Sequence, residues 1–381
     1  MSGSRSDVRN GVFQCSDDVD ILRSPEGTLL VNHLERAAYR LDGIGVAIAE
    51  RLTAPTTIGA VSEGIAATFD VQVNECAPGV DRFVRDLQDR RLVEAYDAAA
   101  GETVLRRRYL DLLARALTNL IYPEHELRIA YLEQHPPSGD DVNEQRLLRD
   151  IRYSDAEMFR DLVEAKREGL VWRRRVTRDS HTMVGLRRLE NLERCAARVF
   201  ADGVPGDFLE AGACQGGASI FLRALQMAYG ESHRTTWVAD SFEGLPPPSH
   251  PVDVERFPGD FSEAREPWLA ASLRSVQDNF RTYDLLSDGV RFVPGWFAES
   301  LPAAPVGHLA ILRLDADLYS STYDVLSTMY DRVSVGGYVV IDDYWAFQAC
   351  RMAVHDFLAE RGIEPRLRRI DWAAVFWRKT T

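Results

Sequence analysis

The fold of this chain is decided by residues 208–217, which read FLEAGACQGG. An apolar strand runs into a glycine-rich turn, and a helical pattern begins directly after it. Glycine adopts positive φ and lets the backbone approach a ligand closely. The spacing is GxxxGG rather than the GxGxxG of dinucleotide-binding proteins, and no phosphate-loop Lys-Ser/Thr pair follows. The motif favours binding of a nucleotide or S-adenosylmethionine. A turn that only joins a strand to a helix is the alternative.

Outward from this motif, short apolar segments alternate with helical patterns. The predicted strands are 207–211, 235–239, 290–293, 309–314 and 338–341. The predicted helices are 218–229, 266–283, 322–330 and 350–361. Apolar strands that alternate with helices indicate a mostly parallel sheet covered on both faces. Ligands bind such sheets at the carboxyl ends of the strands. We therefore predict an α/β, Rossmann-like core.

The sequence divides into four predicted regions. Residues 1–14 are polar and small and are predicted to be disordered. Residues 15–95 predict three short strands and three helices, a small winged-helix-like α+β domain. A helical linker and lid region is expected over 96–200, and the α/β core over 201–381.

Composition excludes several classes of partner. The formal net charge is −13, which argues against non-specific binding to nucleic acid or anionic membrane. The five cysteines have irregular spacings and no CxxC pair, which indicates reduced thiols in the cytoplasm. The sequence has no secretory signal. It also has no apolar run as long as the ~20 residues that span a bilayer. We expect a cytoplasmic protein that binds neither membrane nor nucleic acid.

Acidic residues follow three of the predicted strands. Asp240 follows the second strand of the core, where a carboxylate can accept hydrogen bonds from ribose hydroxyls. A solvated aspartate at a strand end is the alternative. Asp315 and Asp317 share one face of an extended chain, and Asp342 and Asp343 end the following strand.

Four carboxylates at neighbouring strand ends repel one another unless a cation lies among them. Oxygen ligands without histidine or cysteine suit Mg²⁺ or Ca²⁺. Capping of the following helices is the alternative role for these aspartates. A metal here would hold an acceptor oxygen and lower its pKa, with Asp315 as the first candidate for the base. His181 lies in a predicted lid, and a surface histidine is its favoured interpretation.

Residues 109–379 resemble the macrocin O-methyltransferase (TylF-like) family. The resemblance rests on 109–113, 117–122, 182–183, 188–189, 202–207, the glycine-rich loop, 237–248, 295–297, 312–319, 339–344 and 370–372. It implies a class I, S-adenosylmethionine-dependent and Mg²⁺-dependent O-methyltransferase that acts mainly on sugar hydroxyls of natural products. The family's usual Trp-Arg pair before the two glycines is replaced here by Cys214-Gln215.

The resemblance also implies roles for individual residues. The implied metal ligands are Asp315, Asp342 and Asp343, with Asp315 doubling as the catalytic base and Asp317 left as a supporting carboxylate. The implied S-adenosylmethionine contacts are Thr182, Met183, Glu210, Gly212, Asp240 and Ser241.

Residues 15–95 resemble the PqqD-like peptide-recognition domains of ribosomal-peptide (RiPP) biosynthesis. The similarity lies in the strand 28–31, the segment 39–42, the helix start 56–57 and the segment 86–92. Such domains bind a precursor's leader peptide as an added strand. A DNA-binding winged helix and a dimerisation module are the alternatives. Residues 1–95 carry 15 acidic and 10 basic residues, which disfavours DNA.

One interpretation joins both resemblances. The N-terminal module captures a leader peptide, and the core domain methylates a carboxylate of the peptide, for which the C-terminus is one candidate. Tethering would raise the effective concentration of the acceptor. The alternatives are methylation of a sugar hydroxyl on a small natural product and a non-catalytic peptide-binding scaffold. We also expect a homo-oligomer, in the form of a dimer.

Overall fold

A computed structural model describes most of the chain. The described residues are 12–16, 19–24, 27–33, 37–54, 56–96, 100–134, 156–170, 180–248, 250–256 and 269–380. The chain divides into two compact units, Met1–Tyr109 and Leu110–Thr381. None of the described helices is long and apolar enough to cross a membrane.

Among its described residues, the first unit contains two small antiparallel sheets, three complete helices and the start of a fourth. Its strands are β1 Val12–Cys15, β2 Val19–Ser24, β3 Gly27–Asn32, β4 Ala37–Leu41, β5 Thr56–Thr57 and β6 Val93–Tyr96. The sheets have the orders β5-β1-β6 and β2-β3-β4. The helices are α1 Gly43–Arg51, α2 Ile58–Phe69 and α3 Val73–Asp89. Strand β1 begins inside the segment for which we expected disorder, because Val12 and Phe13 are buried and pair with β5 and β6.

Side-chain caps explain where two of these helices begin. The carboxylate of Asp42 accepts a hydrogen bond from the backbone N–H of Gly45 at 2.6 Å, before α1. The hydroxyl of Thr57 accepts one from Ala60 at 3.1 Å, before α2. Each cap satisfies a backbone donor that the first helical turn leaves unpaired.

The second unit contains a seven-stranded sheet. The strands are β7 Asp207–Ala211, β8 Thr236–Asp240, β9 Val290–Pro294, β10 Leu309–Leu314, β11 Val333–Ile341, β12 Arg368–Arg369 and β13 Val375–Arg378. Their order is β12-β13-β11-β10-β7-β8-β9. Strands β7 to β11 pair in parallel, and β13 pairs antiparallel to both β11 and β12. The predicted fold class is confirmed.

The helices of this unit begin with one that crosses the division between the units. They are α4 Ala100–Leu117, α5 Glu124–Gln134, α6 Ala156–Glu168, α7 Leu186–Ala201, α8 Gly217–Ala228, α9 Pro251–Arg256, α10 Leu273–Thr282, α11 Phe297–Ala303, α12 Tyr319–Met329 and α13 Gln348–Arg361. A 3₁₀ turn at Tyr330–Arg332 follows α12. Residues 266–268 of the helix predicted at 266–283 lie outside the described residues.

Successive residues of the central strands pack into separate cores on the two faces of the sheet. Phe208 and Ile311 belong to the core that includes residues of α7, α8 and α10. Leu209 and Leu312 belong to the core that includes residues of α11, α12 and α13. All four are fully buried, and each contributes roughly 1.5–3 kcal/mol by leaving water. Alternation along an extended strand thus explains why apolar residues occupy both faces of these strands.

The chain order places a topological switch point between β7 and β10. After β7 the chain continues to β8 on one side, whereas β10 pairs with β7 on the other side. The loops that leave β7 and β10 therefore diverge, and a crevice opens at the carboxyl ends of these two strands. This is the usual ligand position in open α/β sheets.

Candidate active site

Gly212 lets the ends of β7 and β10 meet. Its φ is +90°, and a Cβ atom there would lie 1.7 Å from the carbonyl oxygen of Asp315. The N–H of Asp315 donates to the carbonyl of Ala211 at 2.8 Å. A residue with a side chain would force these backbones apart. The glycine-rich loop and the first acidic residue after β10 consequently lie side by side.

Asp240, at the end of β8, holds the glycine-rich loop. Its Oδ2 accepts hydrogen bonds from the N–H groups of Ala213 at 2.7 Å and Cys214 at 3.2 Å. Its Oδ1 accepts one from Phe242 at 2.7 Å. Burial raises the pKa of Asp240, and these backbone donors lower it. The carboxylate is therefore a bound acceptor within the loop rather than a solvated strand end, and its contact with the ribose stays a prediction.

The segment with the predicted cofactor contacts Thr182 and Met183 lies against the start of α8. A Cβ atom on Gly217 would lie 2.2 Å from the carbonyl oxygen of His181 and 2.6 Å from the Cβ of Thr182. The N–H of Thr182 donates to Leu117 at 3.2 Å. Met183 is half-buried beside it. The structure thus places this segment against the glycine-rich motif. The first residue of α8, Gly217, must be small because the segment packs directly against it.

His181 is not the surface histidine that we favoured from the sequence. Its side chain is half-buried, and Nδ1 lies 2.7 Å from the hydroxyl of Tyr283. Burial lowers the pKa of His181, which keeps the imidazole neutral near pH 7. The sequence missed this because Tyr283, at the end of α10, is 102 positions away.

The side chains of Ser241 and Glu210 both form hydrogen bonds with other groups of the protein. Ser241 Oγ donates to Gly244 at 2.8 Å and so shapes the turn after β8. Glu210 is buried in β7, where its two oxygens accept from Arg313 and from the hydroxyl of Ser219. Burial raises the pKa of Glu210 to about 7, although Arg313 and Ser219 lower it. The structure places Glu210 directly before the glycine-rich loop, and its contact with the cofactor stays a prediction.

Three carboxylates converge where β10 and β11 end. Asp315, Asp317 and Asp343 each offer an oxygen, and these oxygens lie within 4.8 Å of one another. Asp343 Oδ2 is buried and has no hydrogen-bond partner among the residues that the structure describes. Burial and the neighbouring carboxylates raise the pKa of Asp343 and that of Asp317, the latter to about 8. A cation among the three oxygens would relieve this repulsion, so the donor set fits a hard divalent metal.

Asp342 is set apart from that cluster by two arginines. Its Oδ1 lies 2.5 Å from Arg313 Nη2, and its Oδ2 contacts Arg188. Arg188 Nε also pairs with Asp371 at 2.7 Å. The resemblance implied Asp342 as a metal ligand, whereas the geometry groups Asp317 with Asp315 and Asp343. Adjacent residues at the end of an extended strand point to opposite sides, which explains why Asp342 and Asp343 separate.

The helix that follows the acidic loop is capped from elsewhere. Both carboxylate oxygens of Asp253, in α9, accept from the N-terminus of α12: from the N–H of Tyr319 at 2.5 Å and of Ser320 at 3.2 Å. The residue before α12, Leu318, makes no side-chain cap. For Asp315 and Asp317, the alternative role as caps of this helix is therefore not what the structure shows.

Sequence reasoning missed the arginines that organise these carboxylates. Arg313 is the one charged residue in the apolar segment of β10, and it is 1% exposed. A buried arginine requires carboxylate partners. A single charged residue inside an apolar strand is therefore a sequence signal for a buried ion pair. Arg188 and Asp371 carry no comparable signal, because their partners lie far away in the sequence.

Comparison with known proteins identifies the family of this chain. The family model described as macrocin-O-methyltransferase (TylF) matches residues 106–379. The chain belongs to this family. A second family model, described as coenzyme PQQ synthesis protein D (PqqD), matches residues 27–93. Both resemblances found in the sequence are confirmed, and the protein is an S-adenosylmethionine-dependent O-methyltransferase.

Two relatives illustrate the similarity. One is the 8-demethyl-8-(2,3-dimethoxy-alpha-L-rhamnosyl)-tetracenomycin-C 4'-O-methyltransferase of Streptomyces olivaceus, 45% identical over 275 residues, covering 71% of this chain and 92% of that protein. Another is the mycinamicin III 3''-O-methyltransferase of Micromonospora griseorubida, 40% identical over 281 residues, covering 71% and 96%. Both relatives are thus matched almost throughout, whereas over a quarter of this chain has no counterpart in either alignment.

A solved structure supports the same family. The O-methyltransferase NovP superposes with a TM-score of 0.58 at 36% identity, and the match covers 72% of this chain and all of that chain. Since the TylF match begins at residue 106, the PqqD match at 27–93 lies wholly outside it.

Proposed function

We propose that this enzyme methylates a hydroxyl group on a sugar of a small natural product. The names of the two relatives support this: one specifies the 4'-oxygen of a rhamnosyl-tetracenomycin, the other the 3''-oxygen of mycinamicin III. The observation that carries the proposal is the carboxylate cluster of Asp315, Asp317 and Asp343 beside the glycine-rich loop. Our first expectation, a peptide carboxylate, has no support among these relatives.

We propose Mg²⁺ as the metal of this cluster. Asp315 and Asp343 belong both to the ligand set implied by the resemblance and to the geometric group. The third carboxylate is Asp342 in the former and Asp317 in the latter. Mg²⁺ bound here would lower the pKa of an acceptor hydroxyl. Because Mg²⁺ takes six oxygens, three carboxylates leave positions for water and the acceptor.

The protein's own groups then orient and deprotonate the acceptor. Asp315 is the proposed base, because it lies at the switch point next to Gly212. Arg313 Nη2, 3.0 Å from Asp315 Oδ2, holds this carboxylate in position to accept a proton. The loop held by Asp240 orients the methyl donor, and such orientation can supply much of the acceleration.

A transfer assay tests the proposed function. The purified protein is incubated with S-adenosylmethionine and a rhamnosylated tetracenomycin, and mass spectrometry follows the gain of one methyl group. We expect transfer to the glycoside, none to the aglycone, and none with Asp315→Ala. Transfer to a peptide carboxylate with no transfer to any glycoside would contradict the proposal.

Metal binding is tested separately from turnover. We expect Asp315→Asn and Asp343→Asn to remove the stabilisation of the protein by Mn²⁺ or Mg²⁺ in thermal unfolding. Asp288→Asn is the matched control, because Asp288 is exposed. Comparing Asp317→Asn with Asp342→Asn identifies the third ligand. An unchanged metal response in both Asp315→Asn and Asp343→Asn would exclude the site.

The PqqD match favours a second candidate function, capture of a leader peptide. Strands β2 and β4 are the edges of the small sheet β2-β3-β4, and a peptide can pair with such an edge. The test is binding of precursor peptides encoded near this protein's gene to the full chain, followed by leader-dependent methylation. Absence of both with every candidate peptide would exclude peptide capture.

Two further expectations remain proposals. We propose a cytoplasmic location, which the five free cysteines support. We also propose a homodimer, which light scattering of the purified protein would test by its molar mass.

A further inference from the structure

Trp345 lies at the tip of the turn that leaves the carboxylate cluster. The N–H of Phe347 donates to the carbonyl of Asp343 at 2.9 Å and closes the turn. The N–H of Trp345 donates to Ala373 at 2.7 Å. Because Trp345 is two residues after Asp343, their Cα atoms are at most about 7.6 Å apart. The side chain of Trp345 is nevertheless 47% exposed, at the edge of the sheet where ligands bind.

Two guanidinium groups lie against this indole ring. The Cζ of Arg351 is 5.3 Å from the ring centroid, and the Cζ of Arg369 is 5.6 Å from it. Arg369 is further oriented by its Nε, which donates to the backbone carbonyl of Asp371 at 2.5 Å. Cation–π contact holds both cations in place beside Trp345 without neutralising their charge.

Neither cation has a carboxylate partner among the residues that the structure describes. The contrast is with Arg361 on the same helix, which pairs with Asp331 at 2.9 Å. Arg351 also lies in the first turn of α13, where the helix dipole disfavours a cation. Two guanidinium groups thus lie against Trp345, two residues after Asp343, in a chain whose net charge is −13.

We propose that Trp345, Arg351 and Arg369 form a binding site for an oxyanion of the acceptor, beyond the hydroxyl that is methylated. The inference rests on the proposed function, since it takes the acceptor to lie at the Asp315 and Asp343 cluster. Guanidinium groups bind carboxylate or phosphate through paired hydrogen bonds, which a single ammonium cannot reproduce. A carboxylate of the aglycone and a phosphate of a nucleotide-linked sugar share this chemistry.

Equilibrium binding tests the site without turnover. The full chain, loaded with S-adenosylhomocysteine in metal-free buffer, is titrated with benzoate and, separately, with pyrophosphate. The indole N–H resonance of Trp345, assigned with Trp345→Phe, is followed by NMR. We expect a saturable shift, with at least tenfold weaker binding in Arg351→Gln and in Arg369→Gln. Tighter binding of benzoate identifies a carboxylate, and tighter binding of pyrophosphate identifies a phosphate.

Arg361→Gln is the matched control, because it removes a cation from the same helix away from Trp345, and its binding should equal that of the wild type. Thermal unfolding of each variant verifies that it is folded. No saturable shift with either probe, or equal affinity in the wild type and both arginine variants, would overturn the site.

Kinetics separate this site from the proposed function. With an anionic acceptor, Arg351→Gln and Arg369→Gln should raise KM at least tenfold and leave kcat within twofold, whereas a neutral analogue should show no change in KM. Methylation of a glycoside without binding of either probe rejects only the oxyanion site. Probe binding without methylation of any glycoside rejects only the proposed function.

Discussion

Arg313 Nη2 lies 2.5 Å from Asp342 Oδ1, and the same nitrogen lies 3.0 Å from Asp315 Oδ2. The other terminal nitrogen, Nη1, contacts Glu210. One buried guanidinium therefore joins carboxylates at the ends of β7, β10 and β11. The predicted cofactor contact Glu210 and the predicted base Asp315 belong to a single network of charges.

Replacing Arg313 should destabilise the protein strongly. Arg313→Met leaves Glu210 and Asp342 buried with less compensating charge, and breaking such a pair costs about 3–5 kcal/mol. The matched control is Arg361→Gln, at an exposed ion pair, which should cost less than about 1 kcal/mol. Urea unfolding measures both. Equal, small losses would show that Arg313 is not needed to hold these carboxylates.

Gly212 should tolerate no side chain. Gly212→Ala places a Cβ atom 1.7 Å from the carbonyl oxygen of Asp315, and the positive φ adds strain. The control is Gly203→Ala, which shares a positive φ but meets nothing within 4 Å and should cost about 1–2 kcal/mol.

The free energy of unfolding should therefore fall further in Gly212→Ala, by about 1–3 kcal/mol more than in Gly203→Ala. Methyl transfer should fall about a hundredfold, because the displaced loop misorients the donor. Similar stability and activity in the two variants would disprove the close approach of β7 and β10.

Asp240→Asn should weaken S-adenosylmethionine binding. The amide offers one acceptor oxygen where the carboxylate holds Ala213, Cys214 and Phe242 with two. Loss of hydrogen bonds to a charged acceptor costs roughly 1.5–3 kcal/mol, or about tenfold to a hundredfold in affinity. Calorimetry with S-adenosylhomocysteine measures it. Glu243→Gln, in the same turn and exposed, should bind as the wild type does; equal affinity in Asp240→Asn would refute the role.

Glu210 should make stability depend on pH. Burial raises its pKa from 4.5 to about 7 in the folded protein. Between these values the native state binds more protons than the unfolded state, so stability falls as pH rises from about 4.5 to 7. The loss amounts to about 3 kcal/mol at pH 7 and above. Glu210→Gln should lack this component in urea unfolding at pH 5 and 7, and an identical pH slope in both proteins would contradict the raised pKa.

Much of the sheet could be predicted from local pattern. The strands expected at 207–211 and 309–314 have these bounds in the structure, because their apolar residues are buried and Glu210 and Arg313 pair with each other in the core. The antiparallel pair β12 and β13 was not predicted. Strand β12 has two arginines and no apolar residue, and its pairing depends on β13, itself paired to β11.

The amino-acid sequence by itself determined that carboxylates gather at one edge of the sheet. Parallel strands end on the same side, so Asp240, Asp315 and Asp343 had to lie at the same edge of the sheet. Which oxygens face each other is not encoded locally. That choice depends on strand register, on Gly212 bringing two backbones together, and on the contact of Arg188 with Asp342 across 154 positions. Only tertiary structure decides it, because buried charges must find partners from distant parts of the chain.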